Sequence, residues 1–257
     1  MAPAFSASAD FAADKPAGRP CPHLGADFRC GIHGELRRQG FRGCAVYDCF
    51  GAGQKVAQVT FRGQDWRQAP GTARQMFDVF SVMRQLHELL WYLCEALTLP
   101  AARPVHDDLR QALRDTERLT RAGAESLLEL DVPPIRRDGN ELLARASELV
   151  RGTIPGRKKD FRGADLIEAD LKNADLRGAS FRGAYLIGAN FRGADLRTAD
   201  WTGADLRDAE LSDADLTGSI FLTQSQLDAA SGNAATRLPR TLGRPAHWPG
   251  RSGPSAS

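Results

Sequence analysis

The chain has 257 residues, with 34 Lys and Arg against 32 Asp and Glu, a formal net charge of +2, and 42 % apolar residues. That length holds one large domain or two ordinary ones, and the near-balance of charge excludes a protein whose whole surface seeks nucleic acid or membrane by electrostatics. The longest uncharged apolar run, Leu89 to Cys94, is far short of a membrane span. Residues 1–15 lack the basic start and apolar stretch of a signal peptide. The expectation is a cytoplasmic protein with no membrane partner, in which five cysteines are free thiols or metal ligands and not disulfides.

Residues 1–18 are expected to be disordered. A Cys-rich module over 19–70 follows. Cys21, Cys30, Cys44 and Cys49 fall within 29 residues, with His23 two places after Cys21 and His33 three after Cys30. Four thiols with an imidazole are the donor set of a tetrahedral zinc site or an iron–sulfur cluster. The ligands read from this pattern are Cys21, Cys30, Cys44 and Cys49, with His33 as alternate. The spacing is not the paired Cys-x-x-Cys of a zinc ribbon, and the competing reading is a loop-rich module with unpaired thiols. Gly18, Cys21, Cys30, Ile32 and His33 resemble the distal half of small zinc- or iron-chelating domains, although the proximal cysteine cluster of those domains has no counterpart in residues 1–20. The run GAGQ (51–54) lacks the lysine and hydroxyl of a phosphate-binding loop and reads as a turn.

Residues 71–151 form a predicted α-helical domain. Met76, Phe77, Phe80, Met83, Leu86, Leu90, Leu93 and Leu97 recur at three- and four-residue steps, which predicts a helix over 72–98. Cys94 lies in its apolar run and reads as core. Further helices are predicted over 105–130 and 139–151, with Pro133 and Pro134 breaking the chain between them. Three helices with short connections predict a small antiparallel bundle. Residues 152–158 are the linker.

From Lys159 the chain reads in fives: KDFRG ADLIE ADLKN ADLRG ASFRG AYLIG ANFRG ADLRT ADWTG ADLRD AELSD ADLTG SIFLT, 13 units over 159–223. The first place is Ala in 11 of them, and the third is always Leu, Phe or Trp. A period of five fits neither a helix nor a strand. A coil that turns one corner every five residues places the first and third residues inside each time, with Gly at the fifth place suiting a corner of positive φ. Phe161, Phe181, Trp201 and Phe221 recur every 20 residues, so four units per turn stack them on one wall.

These units resemble the pentapeptide-repeat family, with its A-(D/N)-(L/F)-x-x signature. The resemblance implies a right-handed, quadrilateral parallel β-helix, so the fold class expected is α+β and multidomain: a Cys-rich loop module, a small helical bundle and the β-helix. Open ends of such a coil need lids. TQSQLDAASG (223–232) reads as a short capping helix over 224–232, and the domain before residue 158 as the other lid.

Some members of this family resemble duplex DNA and bind type II topoisomerases, which makes DNA gyrase a partner implied by the resemblance. The charge argues against it. Residues 159–223 carry 12 acids and 8 bases, a net −4. A stack of 3.25 turns at ~4.8 Å per layer is roughly 16 Å tall, and duplex DNA, at about one charge per 1.7 Å, would carry roughly nine negatives over that height. On the second wall, Ile167, Tyr185 and Ile187 occupy outward places and predict an interaction surface, either for the helical domain or for another protein.

The tail, 233–257, is basic and Pro-rich. Arg237, Arg240, Arg244 and Arg251 stand among four prolines with no acid. It is expected to be pinned along the coil over 233–248 and free beyond, with no nucleic-acid target. No GxSxG, HExxH or other catalytic constellation is present. The sequence therefore predicts a non-enzymatic repeat scaffold that binds an unidentified protein. The alternatives are a gyrase-binding DNA mimic and a metal-dependent redox or sensor protein.

Overall fold

The computed structural model describes residues 3–249. The chain divides into two compact units, one built from residues up to 97 together with 106–143, the other from 98–105 together with 144 onward. One long helix contributes to both.

The first unit opens with an ordered segment in place of the expected disorder over 1–18. Phe5 and Lys15 form an antiparallel bridge, and the Phe5 ring stacks on Phe11 at 4.3 Å and meets Phe41 edge-on at 6.3 Å. Aromatic burial against a residue more than 30 positions away holds this segment. Short helices follow, α1 (Arg42–Ala45) and α2 (Ala52–Lys55), and α2 runs into a π-helical turn, Val56–Thr60. Then come α3 (Ala73–Thr98), α4 (His106–Leu119), α5 (Ala124–Leu128) and α6 (Val132–Gly152).

Three expectations for this region are corrected. Gly123 divides the predicted 105–130 helix, standing in extended backbone before α5. Pro133 and Pro134 do not break the chain; they lie in the first turn of α6, where a missing amide hydrogen leaves no helical bond unmade. Cys94 is exposed on α3 while its neighbour Leu93 is fully buried. α3 and α6 approach closely at Gly139, where a Cβ would meet Leu89 Cδ1 at 2.6 Å. Beside that crossing Arg136 Nη1 donates to Glu88 Oε2 at 2.8 Å.

In the second unit the fives wind into a four-sided coil. No wall is long enough to be a strand in its own right. Each layer instead makes single parallel bridges to the next, such as Asp160↔Ser180↔Asp200 and Asp165↔Tyr185↔Asp205. The first wall carries units beginning at 159, 179, 199 and 219, the second those at 164, 184 and 204, the third those at 169, 189 and 209, and the fourth those at 174, 194 and 214. First-place alanines and third-place apolar residues are buried from Leu176 onward. Phe181 stacks on Phe161 at 5.4 Å and on Trp201 at 4.6 Å. Phe191, from the third wall, packs edge-on against Phe181 and Trp201. The Trp201 indole N–H is satisfied by Ser219 Oγ at 3.2 Å, and that hydroxyl donates to the Leu196 carbonyl. Every fifth place from 163 to 218 has positive φ, including the non-glycine corners Glu168, Asn173, Thr198, Asp208 and Asp213.

Second-place acids do more than charge the surface. Asp160, Asp165, Asp170, Asp175, Asp195, Asp200, Asp205 and Asp215 each accept the backbone N–H two residues on, so the acid fixes its own corner.

The C-terminal end is closed. Helix α7 (Gln224–Ala229) starts at Thr223 with a reciprocal capping box involving Gln226. Gln226 Nε2 also donates to the carbonyls of Trp201 and Ala204. Beyond it the chain rejoins the ladder at Ser231 and Arg237, which bridge to Glu210 and Asp215. Arg244 Nη1 and Nη2 donate to the carbonyls of Asn233 and Thr236. Trp248 is buried over Gly232, its indole N–H donating to the Ala230 carbonyl at 2.9 Å. Arg251 and the end of the predicted tail lie outside the described residues.

Candidate functional site

The outer faces of the coil offer two kinds of surface. The fourth wall is a ladder of ion pairs. Arg177 and Arg197 each clamp the aspartate two residues back, Asp175 and Asp195, at 2.7 and 2.6 Å. Arg177 also approaches Asp195 at 3.7 Å, and Arg237 reaches Asp215. The guanidinium of Arg177 holds the Asp175 carboxyl down to about 2. Asp195 and Asp160 are lowered in the same way by Arg197 and Arg162. At Asp205 burial pushes the carboxyl up, but the Arg207 hydrogen bonds and charge outweigh it, leaving it lowered. Paired in this manner, the acids present little unscreened negative charge.

The second wall differs. Ile167 is 48 % exposed and Tyr185 55 %. Ile187, below Ile167 in the next layer, is half-buried. The helix that covers part of the coil does so elsewhere, on the first wall, where Ser147 of α6 reaches Asp200 and Arg151 Nε donates to the Gly178 carbonyl at 2.7 Å. The second-wall column is thus a small apolar strip bounded by Asp165, Glu168, Asp205 and Arg207.

The cysteines of the front do not converge as one ligand set. Cys21, Cys30 and Cys44 are half-buried and within electrostatic reach of one another; burial raises the Cys44 thiol first, and the neighbouring Cys21 and Cys30 raise it further. Lys15 is buried beside them, its Nζ donating to the carbonyls of Pro16 and Arg19 at 3.2 and 3.1 Å. Burial lowers its pKa, and Cys21 and Cys44 act in the opposite sense. Cys49 lies instead in a cavity of about 310 Å³ with Tyr47, Trp66 and Phe80. His33 is exposed in a 3-10 turn. His23, the other nearby imidazole, packs edge-on against Phe41 at 5.2 Å. Among the described residues no three His, Cys, Asp or Glu side chains are grouped to hold a metal ion. In this arrangement Cys49 and His33 stand apart from Cys21, Cys30 and Cys44. No helix among the described residues is long and apolar enough to cross a membrane.

A four-cornered coil with alanine and leucine or phenylalanine inside defines the protein's class. The model of the pentapeptide-repeat family matches residues 157–183 and 184–221 in eight copies. Over 249 residues the chain is 60 % identical to the uncharacterized protein YybG of Bacillus subtilis (strain 168), a match covering 95 % of this chain and 88 % of that one. The chain belongs to the pentapeptide-repeat family. Among solved structures it is similar to a pentapeptide repeat protein of the Arabidopsis thaliana thylakoid lumen, at 33 % identity and a TM-score of 0.24, over 37 % of this chain and 63 % of that one, less than two thirds of its length. A pentapeptide repeat protein of Nostoc PCC 7120 matches at 37 % identity and a TM-score of 0.25, over 34 % of this chain and 78 % of that one. QnrB1, a plasmid-mediated fluoroquinolone resistance protein, matches at 24 % identity and a TM-score of 0.27, over 32 % of this chain and 38 % of that one. The family carries the right-handed β-helix as its fold.

Proposed function

We propose that this chain is a non-enzymatic scaffold that binds another protein through the second wall of its coil. The observation that carries the reading is the exposure of Ile167 and Tyr185 on a coil whose other outward residues are mostly charged or small and polar. An apolar strip with a charged rim is the composition of a contact surface. The coil's acids serve structure: they close corners and pair with arginines.

The gyrase-binding alternative is weaker. A DNA mimic needs unpaired negative charge at the spacing of phosphates. Here Asp160, Asp175, Asp195 and Asp205 are each paired with the arginine two residues on. A supercoiling assay with purified gyrase and micromolar protein should show no protection.

The interaction reading is tested with a photo-crosslinking amino acid placed at position 185 and, as control, at position 192 on the third wall. A discrete protein adduct is expected from position 185 alone. Equal labelling from both positions, or none from 185 in the cells that express the protein, overturns the reading.

A further inference from the structure

The cavity beside Cys49, about 310 Å³, is lined only by residues of the first unit. Its walls are largely rings: Tyr47, Trp66, Phe77 and Phe80, together with Cys49 and Gly53, and no charged side chain is among the described residues that line it. Contacts outside the cavity fix these walls. The Arg67 guanidinium lies 5.0 Å from the Trp66 ring and 4.4 Å from the Phe28 ring, and donates to the carbonyls of Ala26 and Gly25 at 2.6 and 2.8 Å. Phe77 and Phe80 stand on α3, whose Met76, Val79 and Met83 are buried in the core of this unit. The segment carrying Cys49 is tied to the same helix, since His87 Nδ1 lies 2.9 Å from the Phe50 carbonyl. Gly53 adds a second observation. It stands in α2 without a positive φ, so its backbone does not require glycine. A Cβ there would meet only Phe80 Cε2 at 3.8 Å and Cys49 Sγ at 4.0 Å, both ordinary contacts, so packing does not require it either. Glycine in a helix loses stability relative to alanine; what it leaves here is room in the cavity.

We propose that this cavity binds a small, uncharged, planar aromatic molecule of about two fused rings. Size sets the first limit. An apolar cavity of about 150 Å³ accommodates a benzene ring, and this one is about twice as large. The lining sets the second. Rings on several sides favour a planar partner that stacks on one and meets another edge-on. A charged group inside would lose its water and find no opposite charge among the lining side chains. A pre-formed concavity lined by aromatic side chains is the usual form of a small-molecule site. Tyr47, 48 % exposed, gives the cavity its route to solvent. This site is separate from the second-wall strip, which belongs to the other unit.

The test is calorimetric titration of the full chain with 2-naphthol, which is uncharged at neutral pH. A single saturable site with a Kd of order 0.1 mM is expected, the range open to so small a ligand. 2-Naphthoate, the same two rings bearing a carboxylate, should bind at least about tenfold more weakly. Gly53→Leu fills the cavity from α2 and should abolish saturable binding, with a melting curve to check the fold. Occupancy is read independently at Cys49 in the wild-type protein, which keeps the test open if the variant does not fold. Saturating 2-naphthol should slow the alkylation of Cys49 by iodoacetamide several-fold and leave that of the exposed Cys94 unchanged, as followed by peptide mass spectrometry. The proposal is overturned by any of four results: no saturable binding up to about 1 mM, equal binding of 2-naphthoate, unchanged binding by folded Gly53→Leu, or alkylation of Cys49 at the same rate with and without 2-naphthol.

Discussion

Ser147 donates its hydroxyl to Asp200 Oδ2 across 2.6 Å, joining α6 to the first wall of the coil at a carboxylate with 0 % exposure. Asp200 also accepts from the Thr202 amide at 2.9 Å and the Thr202 hydroxyl at 2.6 Å, and Arg182 Nη1 stands 3.4 Å from Oδ2. A buried charge of this kind is tolerated because every lone pair has a donor. Asp200→Ala removes the carboxylate that faces Arg182 and the acceptor of the Ser147 hydroxyl and the Thr202 amide, and should cost about 3–5 kcal/mol. Asp200→Asn keeps one acceptor and should cost less, about 1–3 kcal/mol. Urea unfolding followed by circular dichroism ranks the two; equal losses would mean that packing and not hydrogen bonding holds the site.

Ser180, one layer above Asp200 on the same wall, behaves oppositely. Its hydroxyl is buried and has no hydrogen-bond partner. Replacing it with Ala removes an unsatisfied polar atom and leaves a side chain of nearly the same shape. Ser180→Ala should be neutral or stabilising by up to about 1 kcal/mol, read from the same urea midpoint. A loss of stability would require a partner for that oxygen.

The coil was legible because its period is unusual and its two inward places differ in size. Ala at the first place and a large residue at the third leave one way to wind the backbone, and Ala189 and Phe191 are both fully buried as that winding requires. The role of the second-place acid was not legible. Asp165 and Asp175 look alike in sequence, yet one accepts only a backbone amide and the other also binds an arginine. The prolines of α6 misled for a related reason: proline marks a break inside a helix but a beginning in its first turn, and only the packed position distinguishes the two. Cys94 shows the limit of an apolar run as a guide. One residue advances a helix by about 100°, enough to turn Cys94 to the surface while Leu93 faces the core. The order of residues 3–18 depends on Phe5, Phe11 and Phe41 meeting across a sequence gap that no local pattern records.

The front module carries a prediction about metal. Cys49 lies in the aromatic cavity and His33 in an exposed turn, so neither completes a set with Cys21, Cys30 and Cys44. Purified protein should hold less than one equivalent of zinc or iron, and a chelator should leave its melting temperature unchanged. One tightly held equivalent, with a lower melting temperature after chelation, would show that metal binding draws the thiols together.

The paired aspartates give the coil an acid limit. Asp175, held down to about 2 by Arg177, and Asp160 and Asp195, lowered by Arg162 and Arg197, all have folded values below those of the unfolded chain. A group of this sign stabilises the fold fully above its unfolded pKa, and the contribution is lost as pH falls through the folded value. The window here runs from about pH 4 down to about pH 2. The Asp175–Arg177 pair is exposed, so solvent screening keeps its share small, and the effect comes from the ladder as a whole. Arg177→Gln should lower the melting temperature slightly at neutral pH, less so below about pH 3, and not at all once Asp175 is protonated in both proteins. Melting curves from neutral to acid pH, taken in low salt where the pairs are least screened, measure this convergence; a gap between wild type and variant that widens toward acid would reverse the sign assigned to Asp175.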